Sequence, residues 1–184
     1  MYLPNEDINV FDTFITYLYQ DRLPQFLSTA GTDETYFEAE KLYPLFVLAE
    51  RFCMNDLANE VMDAIQDFGY QHNTIPGLSS ISYIYKNTHE TSKLRIYCVL
   101  MRLYDLHTST GAKHSNDTAD LASTLPDFAG DFIRLQCKYK DRFQKGQLAD
   151  AQVRDAKKGF GQCFFHTHAK GETCHLKSAI SGSK

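Results

Sequence analysis

Along the first third of the chain, apolar side chains recur three and four residues apart, the spacing that lines one face of an α-helix. Val10, Phe11, Phe14, Ile15, Leu18 and Tyr19 predict a helix over about 8–20, with Asp7 placed to cap it and Pro24 beyond its end. The small polar stretch 28–35 then reads as a surface loop. Leu42, Leu45, Phe46, Leu48, Ala49 and Phe52 predict a second helix within about 37–53. A proline is tolerated in a first helical turn, so Pro44 sets the regular start near Tyr43. A third helix follows at Asn55 or Asp56, lines up Leu57, Val61, Ala64, Ile65 and Phe68, and stops at Gly69. The second and third helices therefore form a tight hairpin broken at Cys53-Met54-Asn55.

The same period continues further on. Pro76 opens a short helix to about 87 with Leu78, Ile81, Ile84 and Tyr85 inward. Ser92 caps another, whose inward residues are Leu94, Tyr97, Cys98, Met101 and Tyr104. Residues 107–124 are rich in Thr, Ser, His and Asp and lack any period, which predicts a long exposed loop. Pro126 opens a last helix with Phe128, Phe132, Leu135 and Tyr139 on one side. The pattern changes beyond Gly159, and the tail from Ser178 to Lys184 is expected to be disordered. No strand alternation stands out, a short extended piece near Asp21 to Phe26 aside. The expected fold is mainly α, about six helices with few or no strands.

Composition narrows the class. With 43% apolar and 23% charged residues, the chain has the balance of a globular protein rather than a disordered one. Apolar runs such as Leu45 to Ala49 are far short of a membrane helix. The first residues lack the features of a secretory signal, so nucleus or cytoplasm is the expected location. Charge is uneven. Residues 1–133 hold 8 basic and 19 acidic side chains, and residues 134–184 hold 11 basic and 4 acidic. The basic end is either a solvated helix face, a patch for nucleic acid or an acidic partner, or a segment that docks on the acidic body.

The densest chemistry lies in Cys163-Phe164-Phe165-His166-Thr167-His168, followed by Cys174 and His175. Zinc takes four nitrogen and sulfur ligands in a tetrahedron. Cys163 and His166 stand in a C-x-x-H spacing, and Cys174 with His168 or His175 would complete a Cys₂His₂ set, with Gly171 allowing the turn. An unliganded terminal segment is the competing reading, and a Cys163–Cys174 disulfide would need oxidation. Cys53, Cys98 and Cys137 sit in apolar-patterned segments and read as free thiols. Phosphate-loop, H-E-x-x-H and G-x-S-x-G motifs are missing. Asp63 with Asp67 reads as exposed helix face, and Cys163 with His166 lacks an evident pocket for nucleophilic catalysis. An enzyme is not expected.

The order of these helical pieces resembles the BTB/POZ family. Leu3-Pro4-Asn5-Glu6-Asp7, Val10-Phe11 to Leu18-Tyr19 and Arg22-Leu23-Pro24 resemble the helix after that domain's central strands. Lys41 to Phe52 followed by Met54 to Ile65 resembles its closing helical hairpin. Ile84 to Thr88, Ser92 to Arg95 and Leu125 to Phe128 resemble the helical extension of fungal members, which often end in a Cys/His segment similar to 163–174. The resemblance implies a partial BTB/POZ domain over 1–70, a helical extension over 71–145 and a basic Cys/His segment over 146–184. It also implies a protein-interaction module, with a cullin-3 ubiquitin ligase or a BTB-containing protein as partner. The partner-binding positions would be Tyr17, Asp21, Arg51, Met54, Asn55 and Asp56 at the exposed hairpin end. Nucleic acid is the lesser expectation. The chain starts after the strands and helix pair that open a whole BTB domain, as a truncated gene model or a degenerate relative would. The family's usual self-association is therefore not expected, and Phe11, Phe14 and Phe46 are expected to be exposed.

Overall fold

The computed structural model describes residues 8–23, 32–109, 112–145, 147–155, 158–169, 171–172 and 174. Seven helices and no strand occur among them. They are α1 (Ile8–Gln20), α2 (Thr32–Arg51), α3 (Asn55–His72), α4 (Leu78–Asn87), α5 (Lys93–Thr108), α6 (Ala112–Thr124) and α7 (Pro126–Gln144). The mainly α expectation holds. The proposed cap Asp7, Pro24 and the tail from Ser178 lie outside the described residues.

The α2–α3 hairpin turns where the sequence breaks. Cys53 takes a left-handed φ of 55°, and Met54 N–H donates to Ala49 O at 2.9 Å, which closes the end of α2. Met54, rather than Asn55 or Asp56, occupies the N-cap of α3 and makes no side-chain cap. α2 begins at Thr32 and runs through Pro44, so the expected start near Tyr43 is too late. The missing proline N–H removes one hydrogen bond, while Leu45 to Ala49 beside it are fully buried and hold the helix in place. α3 likewise passes Gly69 and ends at His72, capped by Asn73, whose φ of 50° lets Thr74 N–H reach Gly69 O.

Three further expectations change. Residues 107–124 are not a loop, because α6 fills 112–124. That helix is polar on most sides and buries Thr118 and Leu121, so no apolar period betrays it. His114 Nδ1 meets Asp105 Oδ2 at 2.6 Å and ties it to α5. The buried side of α1 is Val10, Phe14 and Tyr17, whereas Leu18 and Tyr19 are exposed. Phe14 and Phe46 are 6% and 2% exposed, so they are core residues, and Phe14 stacks on Phe52 with centroids 5.4 Å apart. Phe11 is half-buried against the same core. Leu78, expected inward, is exposed.

α5 is the central helix. Leu94, Tyr97, Cys98, Val99, Leu100, Met101 and Leu103 are all buried, and α4, α6 and α7 pack around it. Ser92 caps it as expected, its hydroxyl accepting from Leu94 N–H at 3.3 Å. One hydrophobic cluster joins α1 to α7 with Ala151 and Phe165 from the strap that follows α7.

Candidate metal centre

The described residues of the strap, residues 147–174, form no regular secondary structure, so their backbone polar groups need side-chain partners. α3 supplies several. Gln66 Nε2 donates to Ala151 O at 2.6 Å. Asn59 and Thr167 pair reciprocally, Asn59 Nδ2 donating to Thr167 O at 3.0 Å and Thr167 N–H to Asn59 Oδ1 at 2.8 Å. Gln152 Nε2 donates to Thr74 O at 2.5 Å. It lies where a Cβ on residue 69 would stand, 2.5 Å away, so Gly69 makes room for the strap rather than ending the helix. Arg154 grips α3 through Asp63 at 2.6 Å and Asp67 at 2.7 Å. The basic end thus docks on the acidic body at this point. Farther along, Phe165 stands edge-on to Tyr97 at 5.5 Å, and Phe160 edge-on to Tyr139 at 5.5 Å.

This docking brings Cys163, His166, His168 and Cys174 together. Their ligand atoms lie within 4.8 Å of one another. Cys163 to His166 form one turn, with His166 N–H donating to Cys163 O at 3.2 Å. Gly171, at a φ of 90°, helps return the chain to Cys174. Zinc with Zn–S of about 2.3 Å and Zn–N of about 2.0 Å needs ligand-to-ligand edges of roughly 3.3–3.8 Å. His166 Nδ1 and Cys174 Sγ are already 3.3 Å apart. His168 Nε2 is buried with no hydrogen-bond partner among the described residues. An orphaned imidazole nitrogen beside two thiols and a second imidazole fits a metal ligand, because a buried polar atom otherwise loses its hydration uncompensated. The set can hold a metal ion, and its two sulfurs and two nitrogens suit zinc.

The electrostatics follow from the pairing. Burial lowers the affinity of His166 for a proton, but its bonds to Asp63 and Cys174 outweigh burial and raise its pKa. Burial alone would raise the Asp63 carboxyl, yet His166 and Arg154 hold it below the usual carboxylate range. Asp63 therefore stays ionised at the side of the centre. The expectation of Asp63 as exposed helix face is overturned, since it is buried under the strap.

The expected partner-binding residues converge in part. Tyr17, Asp21, Met54, Asn55 and Asp56 line one cleft of about 340 Å³, with Leu18, Cys53, Leu57 and Glu172. Tyr17 is 5% exposed rather than a surface residue, and its hydroxyl lies 3.3 Å from Glu60 Oε1. Arg51 belongs to a neighbouring cleft with Glu50, His89, Lys93 and Thr167. Cys53 and Asn55 line both. No disulfide joins the cysteines among the described residues. Cys53 and Cys137 are exposed despite their apolar neighbours in sequence, and Cys98 is buried.

Sequence reasoning named all four members of this cluster but not the contacts of Asp63, Asn59, Gln66 and Arg154 around it. One signal was available: polar residues 59, 63 and 66 share the helical spacing of a buried stripe. His175, the alternative fourth ligand, lies outside the described residues. Among the described residues, no helix is long and apolar enough to cross a membrane. No protein-family model, curated protein or solved structure matches this chain.

Proposed function

We propose that this chain is a non-enzymatic protein-interaction module of BTB/POZ type, whose C-terminal strap is fastened by one zinc ion on Cys163, His166, His168 and Cys174. The observation that carries the reading is the convergence of those four ligands, with one ring oriented by a carboxylate and the other left with a bare nitrogen. Four protein ligands complete a tetrahedral site and leave no position for water or substrate, which is the arrangement of structural zinc. Zinc in such a site contributes folding energy, here to a strap whose described residues form no helix or strand.

The docking part of the proposal is supported by the cleft that gathers Asp21, Met54, Asn55 and Asp56 over Tyr17. The resemblance makes a cullin-3 N-terminal domain the first partner to try, with the chain as substrate adaptor. Nucleic-acid binding through the basic end has less support. Arg154 is engaged by Asp63 and Asp67, Arg134 by Asp131, and Arg142 lies over the Tyr139 and Phe160 rings.

Metal analysis of the purified full chain tests the zinc part. About one zinc per chain is expected for a single site, and Cys163→Ser with Cys174→Ser should lose it. A metal-free protein that takes up no zinc on titration overturns this part. Pull-down with the cullin-3 N-terminal domain tests the docking part. A complex weakened by Asp56→Lys supports it, and no complex with the zinc-loaded chain overturns it. Unchanged DNA and RNA migration at low salt is also expected.

A further inference from the structure

A histidine binds metal through one ring nitrogen, and which one is decided by what the other nitrogen does. His166 Nε2 lies 3.0 Å from Asp63 Oδ1, and the histidine side chain is fully enclosed there. An ionised carboxylate only accepts hydrogen bonds, so Nε2 must carry the hydrogen. In the neutral ring, Nδ1 is then the bare lone pair, and it is the atom that faces Cys174 Sγ at 3.3 Å. Asp63 is itself fixed. Arg154 binds it at 2.6 Å and reaches on to both oxygens of Asp67 at 2.7 and 2.8 Å. The carboxylate belongs to α3, 103 residues before the ring it holds.

Resting on the zinc reading above, we infer that Asp63 is the positioning residue of the metal centre: it fixes the Nε2–H form of His166, presents Nδ1 as the ligand, and ties a site built from the strap to the body of the protein. All four ligands lie within twelve consecutive positions of the strap. Without an outside anchor they would have to be ordered by the metal alone. With Asp63 the ring is held before the ion arrives, so part of the ordering cost is met by folding of the body. Asp67 provides the natural control. It shares Arg154 with Asp63, whereas the contact to the ring is made by Asp63, so it tests the ion pair without the orientation.

The test uses the full chain with zinc against a chromophoric chelator, alongside nitrogen-15 NMR of the histidine rings. Asp63→Ala is expected to weaken zinc binding about 10–100-fold, as loss of an outer-shell carboxylate does elsewhere. Asp67→Ala should change it by less than about threefold, because the ring keeps its acceptor. Asp63→Asn, whose amide oxygen still accepts from Nε2–H, should fall between the two. In the zinc-loaded wild type, His166 should show a protonated Nε2 and a metal-bound Nδ1. Cobalt at saturation should give the same sulfur-to-metal bands in Asp63→Ala and wild type, showing that the ligands themselves survive. Wild-type affinity in both Asp63 variants overturns the inference and leaves the zinc reading standing. So does an Nδ1–H ring in the wild type, which needs no variant to fold. A wild-type chain that binds neither zinc nor cobalt overturns both.

Discussion

Replacing Phe165 by alanine removes the ring through which the strap enters the core. Phe165 is 2% exposed and belongs to the same hydrophobic cluster as the helices. Its ring stands edge-on to Tyr97 at 5.5 Å and to Phe164 at 4.8 Å, with Phe160 at 6.0 Å. Truncating a buried phenylalanine costs about 3–5 kcal/mol, the lost transfer energy plus a cavity. The described residues around Phe165 form no helix or strand and relax more readily than a helix would, so the lower end, about 3 kcal/mol, is expected. With a urea dependence of about 2 kcal/mol/M, the unfolding midpoint should fall by roughly 1.5 M. Far-ultraviolet circular dichroism in urea, with chelator present, reads this without any contribution from metal. Ile133→Ala, at an exposed position of α7, should leave the midpoint within about 0.3 M. A midpoint unchanged by Phe165→Ala would mean that the strap is not part of the cooperative core, and the packing argument would fail.

Thiol labelling should be ordered by structure. Cys53 and Cys137 should react in the native chain, while Cys98, whose thiol burial pushes up to about 12, should wait for unfolding. Zinc should shield Cys163 and Cys174, and chelation should expose two more thiols; rapid native labelling of Cys98 would contradict the buried α5. Glu50 gives a pH prediction. Burial raises its carboxyl more than Ser92, Arg95 and His89 lower it, so the folded chain holds that proton more tightly than the unfolded chain does. Its contribution is therefore fully present below about 4.5 and is lost as pH rises through the elevated folded value. Glu50→Gln should remove that decline relative to wild type in urea titrations above pH 4.5; parallel curves would refute it.

The sequence made some elements legible and hid others for physical reasons. Helices α3, α5 and α7 bury long apolar stripes, so their period is written in the residues that pack. α1 carries apolar residues around more than one face, and Leu18 and Tyr19 looked as inward as Phe14 until tertiary contacts chose a side. α6 has little stripe at all and is held by Leu121, Thr118 and the Asp105–His114 pair, which its own composition does not announce. The Cys/His cluster was readable because its members are close in sequence. The Asp63 anchor was not, because a carboxylate on a helix looks the same whether water or a distant histidine faces it. Cys53 shows the limit at single residues: its turn was predicted, but the left-handed backbone that turns its thiol outward was not.

The strap rests on two unlike surfaces. Toward α3 it meets Asn59, Asp63 and Gln66, side chains that water can satisfy as well as the strap does. Toward α5 and α7 it meets Tyr97 and Tyr139, whose rings water cannot satisfy. Opening on the α3 side therefore uncovers a wettable helix face, whereas opening on the aromatic side uncovers a sticky one. In the metal-free chain, local opening should begin over Asn59 and Gln66 and halt at Phe165, so the chain can breathe at its strap without presenting greasy surface to its neighbours.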